Sequence, residues 1–368
     1  MLFWLLAVLA TYIITTPSLV FSSELPQAAH NARAAYISID KLHSSTVIAR
    51  IEDLLATTEI NAVVIDFKVG KPVLDDHMKK LIVRFKSKGA YVIGRQVVFQ
   101  DSYLASVRPD LALRIPAKNY CNFAAGSFWY SGEKSWNRYW VDMSSRDAQN
   151  YNIKIAKDGI DAGFDEINFD YIRFPSDGPG CKIADSQGKK KRLSVPPVYP
   201  VWNDKISKEQ ILADFFEKMN KELKQHKPQA VLSIDIYGYV FLRGVEPGVA
   251  QNLLVVAKYF DVVSPMAYPS HYACNEFGVK DPNTAPYKVY AETLKRGVEI
   301  LKNADANVIV RPWIQDFSIA SIYGCGKKIE YGPNKVAAEI NASKDLGILG
   351  FMLWDSSNNY TKNALRPK

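Results

Sequence analysis

Gly163-Phe-Asp-Glu-Ile-Asn-Phe-Asp-Tyr-Ile-Arg-Phe-Pro-Ser-Asp-Gly178 carries a strand signature near its centre, where apolar Ile167 and Phe169 alternate with polar Glu166, Asn168 and Asp170. A period of two sends the two sets to opposite faces of a strand. Helical periodicity runs through residues 147–162 before this strand and 208–224 after it. Outward in both directions the same unit recurs. Strand-like runs occupy residues 35–39, 62–67 and 90–98 upstream and 231–236, 262–266, 308–313 and 348–354 downstream. Helical stretches such as 286–303 and 334–346 fill the gaps. Strand then helix, repeated until the strands number eight, predicts an α/β chain folded as a closed (β/α)8 TIM barrel. The barrel is expected as a single domain over residues 32–360, with long loops after the strand carboxyl ends.

The other strands alternate as the first does. Ile37 and Ile39 oppose Ser38 and Asp40, Ile65 and Phe67 oppose Asp66 and Lys68, and Leu232, Ile234 and Ile236 oppose Ser233, Asp235 and Tyr237. The apolar face packs on the helices, so the polar face points into the lumen. Polar groups are costly to bury unless they bond each other or a ligand. A purely structural barrel fills its lumen with Val, Ile and Leu, so the polar lumen predicted here points to a binding or catalytic site.

At or just past the carboxyl ends, where barrel enzymes carry their sites, stand Asp40, Asp66, Lys68, Arg95, Asp170, Arg173, Asp235, Tyr268, Gln315, Asp316, Trp354 and Asp355. Glycoside hydrolysis uses two carboxyl groups flanking the scissile bond, one protonating the leaving oxygen and the other attacking or activating water. Asp170 and Asp235 end neighbouring strands and are the expected catalytic pair, with Asp170 as nucleophile or charge-stabilising carboxylate and Asp235 as general acid. The expected substrate-binding set is Asp66, Arg95, Arg173, Tyr268, His271, Trp313, Gln315, Asp316, Trp354 and Asp355. Trp313, Trp354 and Tyr268 offer faces for sugar rings, and Arg95 and Arg173 suit a carboxylate or an acidic sugar. Each has a plainer reading: a lone Asp as a helix cap, His271 as a packing residue, and the aromatic run from Tyr103 through Tyr120, Trp129 and Trp136 to Trp140 as a loop core. Their joint occurrence on one face favours a glycoside hydrolase acting on an extracellular or cell-wall polysaccharide. The alternative is a barrel that binds polysaccharide without cutting it.

The sequence holds no glycine-rich phosphate loop and no GxSxG elbow, and its five histidines have neither HxH nor HExxH spacing. No cofactor, no metal and no nucleic-acid partner are therefore expected. The net charge is +8 and the pI about 9.0. Part of that excess lies in Lys189-Lys190-Lys191-Arg192, a solvated loop or a contact for an anionic polymer. Residues 1–23 are apolar from Leu2 to Phe21 and end in Ser22-Ser23. They read as a signal peptide or as an N-terminal anchor in the membrane, and either one exports the remainder to the outside or the cell envelope. Four cysteines, Cys121, Cys181, Cys274 and Cys325, allow three pairings of two disulfides. Cys121 and Cys181 follow adjacent strands, as do Cys274 and Cys325, and these are the expected pairs.

The block from Gly163 to Gly178, with its run Asp170-Tyr-Ile-Arg-Phe-Pro-Ser-Asp-Gly178, resembles the signature of the glycosidase-like family catalogued as domain of unknown function 4015. The likeness extends to Asn61-Ala-Val-Val-Ile-Asp-Phe-Lys68, Ile93-Gly-Arg-Gln-Val-Val-Phe-Gln-Asp101, Ser264-Pro-Met-Ala-Tyr-Pro-Ser-His-Tyr272 and Arg311-Pro-Trp-Ile-Gln-Asp-Phe317. It covers roughly residues 32–360. The resemblance implies an exported glycosidase-type barrel and leaves the substrate open. The segment Phe67-Lys-Val-Gly70 departs from the pattern, having no acidic residue after the lysine.

Overall fold

The computed structural model describes residues 25–117, 121, 123–184 and 190–368; the expected export segment at 1–23, Tyr120 and Lys189 lie outside the described residues. Eight strand positions form one ring. They are β1 (Arg33–Ile37), β2 (Ala62–Val69), β3 (Tyr91–Val97), β4 (Glu166–Asp170), β5 (Val231–Tyr237), β6 (Val262–Met266), a divided β7 (Ile309–Val310 and Trp313–Gln315) and β8 (Phe351–Trp354). Sequential neighbours pair in parallel from β1 to β6, and β8 returns to β1 through Arg33 opposite Phe351.

The sequence predicts β7 as one run over 308–313, whereas the structure breaks it. Pro312 has no N–H to donate and cannot continue a ladder. The first piece pairs with β6 and the second with β8. The ring nevertheless closes across the break, because the Arg311 N–H donates to the Val263 carbonyl and the Met352 N–H to the Pro312 carbonyl, each at 2.9 Å.

Between the strands run α1 (Ser45–Thr57), α2 (Asp76–Lys86), α3 (Arg146–Ala162), α4 (Lys208–His226), α5 (Leu253–Tyr259), α6 (Pro286–Asn303) and α7 (Pro333–Asp345). Ser44, Ser145 and Ser207 open α1, α3 and α4 by accepting a hydrogen bond from the third residue on, which satisfies an N–H that the first turn leaves free. The apolar faces of the helices bury Ile51, Leu54, Met78, Phe85, Ile160 and Phe215 against the outward strand residues Ile37, Ile65, Phe67, Ile167, Phe169 and Ile234.

The lumen is layered rather than polar throughout. At the amino-terminal end Ala34, Ala62, Val64, Ile93, Val231, Val262 and Met352 pack together. Within that layer Glu166 receives Arg311 at 2.6 Å and the Tyr91 hydroxyl at 3.1 Å, all buried. The remaining polar side chains gather at the carboxyl end.

Long loops cover that end. Cys121 and Cys181 are bonded with Cα atoms 5.6 Å apart, and Cys274 and Cys325 with Cα atoms 5.2 Å apart, the two expected pairs. Each bridge joins loops from neighbouring strands, and both suit an exported chain. The aromatic loop after β3 builds a small core together with the loop after β4: Trp129 donates to the Val195 carbonyl and Trp140 to the Ser131 hydroxyl, each at 2.8 Å. Among the described residues no helix is long and apolar enough to cross a membrane.

Candidate active site

Alternation along β3 sends Tyr91, Ile93 and Arg95 into the lumen, and Arg95 is the hub of the carboxyl-end layer. One guanidinium nitrogen donates to Asp66 Oδ1 on β2 at 2.7 Å, and the other to Asp170 Oδ2 on β4. Its Nε lies 3.8 Å from Asp235 Oδ2 on β5. All four residues are buried, Arg95 at 4% exposure and Asp235 at 1%. Carboxylates this close repel one another, and a single delocalised cation holds them together.

Asp170 and Asp235 differ in surroundings. Asp170 Oδ1 accepts the Tyr171 backbone N–H at 2.6 Å while Oδ2 takes Arg95. Asp235 Oδ1 accepts two side-chain donors, Asn168 Nδ2 at 2.9 Å and Trp313 Nε1 at 2.7 Å. Its Oδ2 is buried with no hydrogen-bond partner. Burial first, and then the negative charge of Asp170, hold the Asp235 carboxyl well above the usual carboxylate range. The β4–β5 register runs from Glu166 opposite Val231 to Phe169 opposite Ile234, and one more step sets Asp170 beside Asp235.

Aromatic rings wall this layer. Tyr36 donates to Asp66 Oδ2 at 2.6 Å and stacks on Trp354 at 4.4 Å. The half-buried Trp354 also carries the Arg95 guanidinium 5.2 Å from its ring centre. Trp313 is 1% exposed and edges against Trp354, so it presents no open face and acts through its N–H on Asp235. Tyr268 is buried beside the half-buried His271 and Phe317, and desolvation pushes the His271 imidazole down to about 4.

Several expected site residues are occupied elsewhere. Gln315 is fully buried, accepting from the Ser270 hydroxyl at 2.8 Å and donating to Asn283 at 3.2 Å. Asp316 holds the Thr361 N–H at 2.9 Å and its carboxyl is pushed by burial up to about 6. Asp355 takes the N–H groups of Ser357 and Asn359. These three fix loops around the mouth. Asp40 falls on a turn past β1, 62% exposed and paired with Lys41, away from the hub. Lys68 forms a separate, fully buried pair with Asp101 at 2.7 Å.

Tyr36 and Asn168 belong to the site but are absent from the expected set. Both share strand parity with residues expected to face the lumen: Tyr36 with Ser38, and Asn168 with Asp170.

Residues 70–360 match the model of the family described as "Putative glycosyl hydrolase domain". No curated protein matches the chain. Among solved structures, the spore cortex-lytic enzyme SleL of Bacillus megaterium is 11% identical, over 91% of this chain and 72% of that one, with a TM-score of 0.51. That similarity is one of fold. A hypothetical protein from Ruminiclostridium thermocellum is 27% identical over 55% of this chain and 96% of its own, at a TM-score of 0.39. The glycoside hydrolase domain of PelA from Pseudomonas aeruginosa is 10% identical, covering 89% and 96%, at 0.47.

Proposed function

Because the chain belongs to this glycosyl hydrolase domain family, we propose that it cleaves glycosidic bonds of an extracellular or cell-wall polysaccharide with Asp170 and Asp235 as its carboxyl pair. The observation that carries the reading is the division of labour around Arg95. Asp170 has both oxygens engaged by positively polarised donors, which fixes its carboxyl group in place as a nucleophile requires. Asp235 has one oxygen engaged by two donors, the other without a hydrogen-bond partner, and a raised pKa. An acid catalyst must carry a proton at working pH and present it to the leaving oxygen, and Oδ2 is where that proton sits.

Asp170 is the more accessible of the two, its side chain 8% exposed against 1% for Asp235. It meets the anomeric carbon while Asp235 protonates the leaving oxygen. Adjacent strands lie about 4.8 Å apart. Carboxyls side by side on β4 and β5 are thus nearer the roughly 5–5.5 Å spacing of retaining enzymes than the roughly 6.5–9.5 Å of inverting ones, and cleavage retains configuration. Trp354 supplies the apolar face for a sugar ring.

A polysaccharide panel with reducing-end detection tests this, comparing wild type with Asp170→Asn and Asp235→Asn. Each variant should lose at least about a thousandfold in kcat, a loss in line with removing a nucleophile or its acid. Near-wild-type turnover by either variant would refute the pair. Proton NMR of the first-formed anomer tests retention.

A further inference from the structure

The described residues include four buried basic side chains, Lys68, Arg95, Arg173 and Arg311. Three of them are ion-paired: Lys68 with Asp101, Arg311 with Glu166, and Arg95 with Asp66 and Asp170. Arg173 is not. It is 5% exposed, and among the described residues no carboxylate oxygen lies within ion-pairing distance of it. One guanidinium nitrogen donates to the Phe174 carbonyl at 3.0 Å, and Nε is buried without a partner.

What surrounds the guanidinium is aromatic. Its centre lies 4.5 Å from the Tyr237 ring and 5.2 Å from the rings of Tyr171 and Trp140. Tyr237 ends β5, and the Tyr171 N–H holds the Asp170 carboxylate, so this cation stands at the mouth of the proposed site. Tyr171 and Tyr237 are only half-buried. The nearest acids that act on it through space are Asp177, whose carboxylate accepts from Ser131, and Asp170, committed to Arg95. A buried cation with no direct ion-pair partner is a costly arrangement that an anionic ligand relieves, and a planar fork of N–H donors matches a carboxylate two bonds at a time.

We propose that Arg173 forms an anion subsite beside the hydrolytic pair, and that the polysaccharide cut here is acidic, with a uronate carboxylate docking on Arg173 while its ring packs on Tyr237. This rests on the glycosidase reading above and narrows its substrate class. The net charge of +8 acts in the same direction, drawing polyanions toward the protein before contact.

The test is binding, read by calorimetry on the full chain and on Asp170→Asn. The probes are oligosaccharides of polygalacturonate, alginate and hyaluronan, each beside its carboxyl-reduced counterpart, with a sulfated neutral glycan as a further arm. At least one acidic oligosaccharide should bind about tenfold or more tighter than its reduced form. Arg173→Gln should collapse that preference to within about twofold without weakening the reduced form, and Arg173→Lys, which keeps the charge but loses the fork, should fall between. No preference in the wild type for any pair, or a preference that survives in Arg173→Gln, overturns the proposal. Tighter binding of the sulfated glycan than of every uronate overturns the carboxylate assignment. If Arg173→Gln fails to fold, the wild-type preference and the Arg173→Lys value decide. Turnover by Asp170→Asn would refute the catalytic pair without touching the binding ratios.

Discussion

Replacing Arg95 with methionine removes one cation and leaves Asp66, Asp170 and Asp235 facing one another in a layer that is 5% exposed or less. Breaking a buried ion pair by removing one partner costs roughly 3–5 kcal/mol, because the orphaned charge remains buried. Unfolding entropy of roughly 2.1 cal/mol/K per residue, over roughly 340 residues, gives roughly 0.7 kcal/mol/K. The loss therefore reads as about 4–7 °C in Tm at pH 8. The pH dependence has a definite sign. A carboxyl whose pKa is raised on folding binds more protons folded than unfolded, so its contribution is intact below the unfolded value near 4 and is lost as pH rises through the folded value. Asp235 and Asp66 already have that sign in the wild type, and in both the Arg95 charge acts against it, so removing the guanidinium strengthens it. Scanning calorimetry at pH 8 and pH 4.5 should therefore show the variant's deficit shrinking toward acid. An equal deficit at both pH values, or less than about 2 °C at pH 8, would refute the account of Arg95 as the charge that holds the layer together.

Three further outcomes are expected. The kcat/KM profile should fall on its basic side as Asp235 ionises, and Asp235→Asn should abolish that limb along with activity. Trp313→Phe removes a donor that favours the charged form of Asp235, so the basic limb should move to higher pH while the far-ultraviolet circular dichroism stays unchanged. The Cys274→Ser, Cys325→Ser double variant opens a loop spanning 51 residues, and loop-closure entropy puts its cost at about 4 kcal/mol, measurable by urea unfolding; no change in midpoint would argue against a staple.

The sequence and the structure agree most closely where one strand carries its own alternation. The β4 range of 166–170 and the β6 range of 262–266 are found as expected, and Asp66, Asp170 and Asp235 are brought together because parity and strand order decide where they point. Pairing partners across the chain were not legible. Gln315, Asp316 and Asp355 look available at strand ends, yet Gln315 and Asp316 bond Ser270 and Thr361, each 45 positions away. Nothing local in the sequence announces such a partner. The break in β7 was visible as Pro312 but masked by the apolar residues around it. β1 starts and ends two residues earlier than expected, because Ile39 extends the apolar pattern into a turn. Parity places Arg95 on the lumen side with the three acids, but its reach to three strands depends on how the side chains pack across the ring.

The pairing of β1 with β8 sets an order on folding. The first and last strands share a ladder, and contacts such as Asn358 Nδ2 to the Tyr36 carbonyl join residues 322 positions apart. Until residue 354 is available, the nascent sheet has a bare edge on Arg33–Ile37, a run with Ala34, Ala35 and Tyr36 exposed to any partner. Unsatisfied apolar edges are templates for intermolecular pairing, and so distant a contact is slow to form. The chain therefore folds with its earliest strand waiting for its latest, and is most prone to aggregate in that interval. A version ending before Phe351 should collect as β-rich aggregates rather than as a smaller stable barrel.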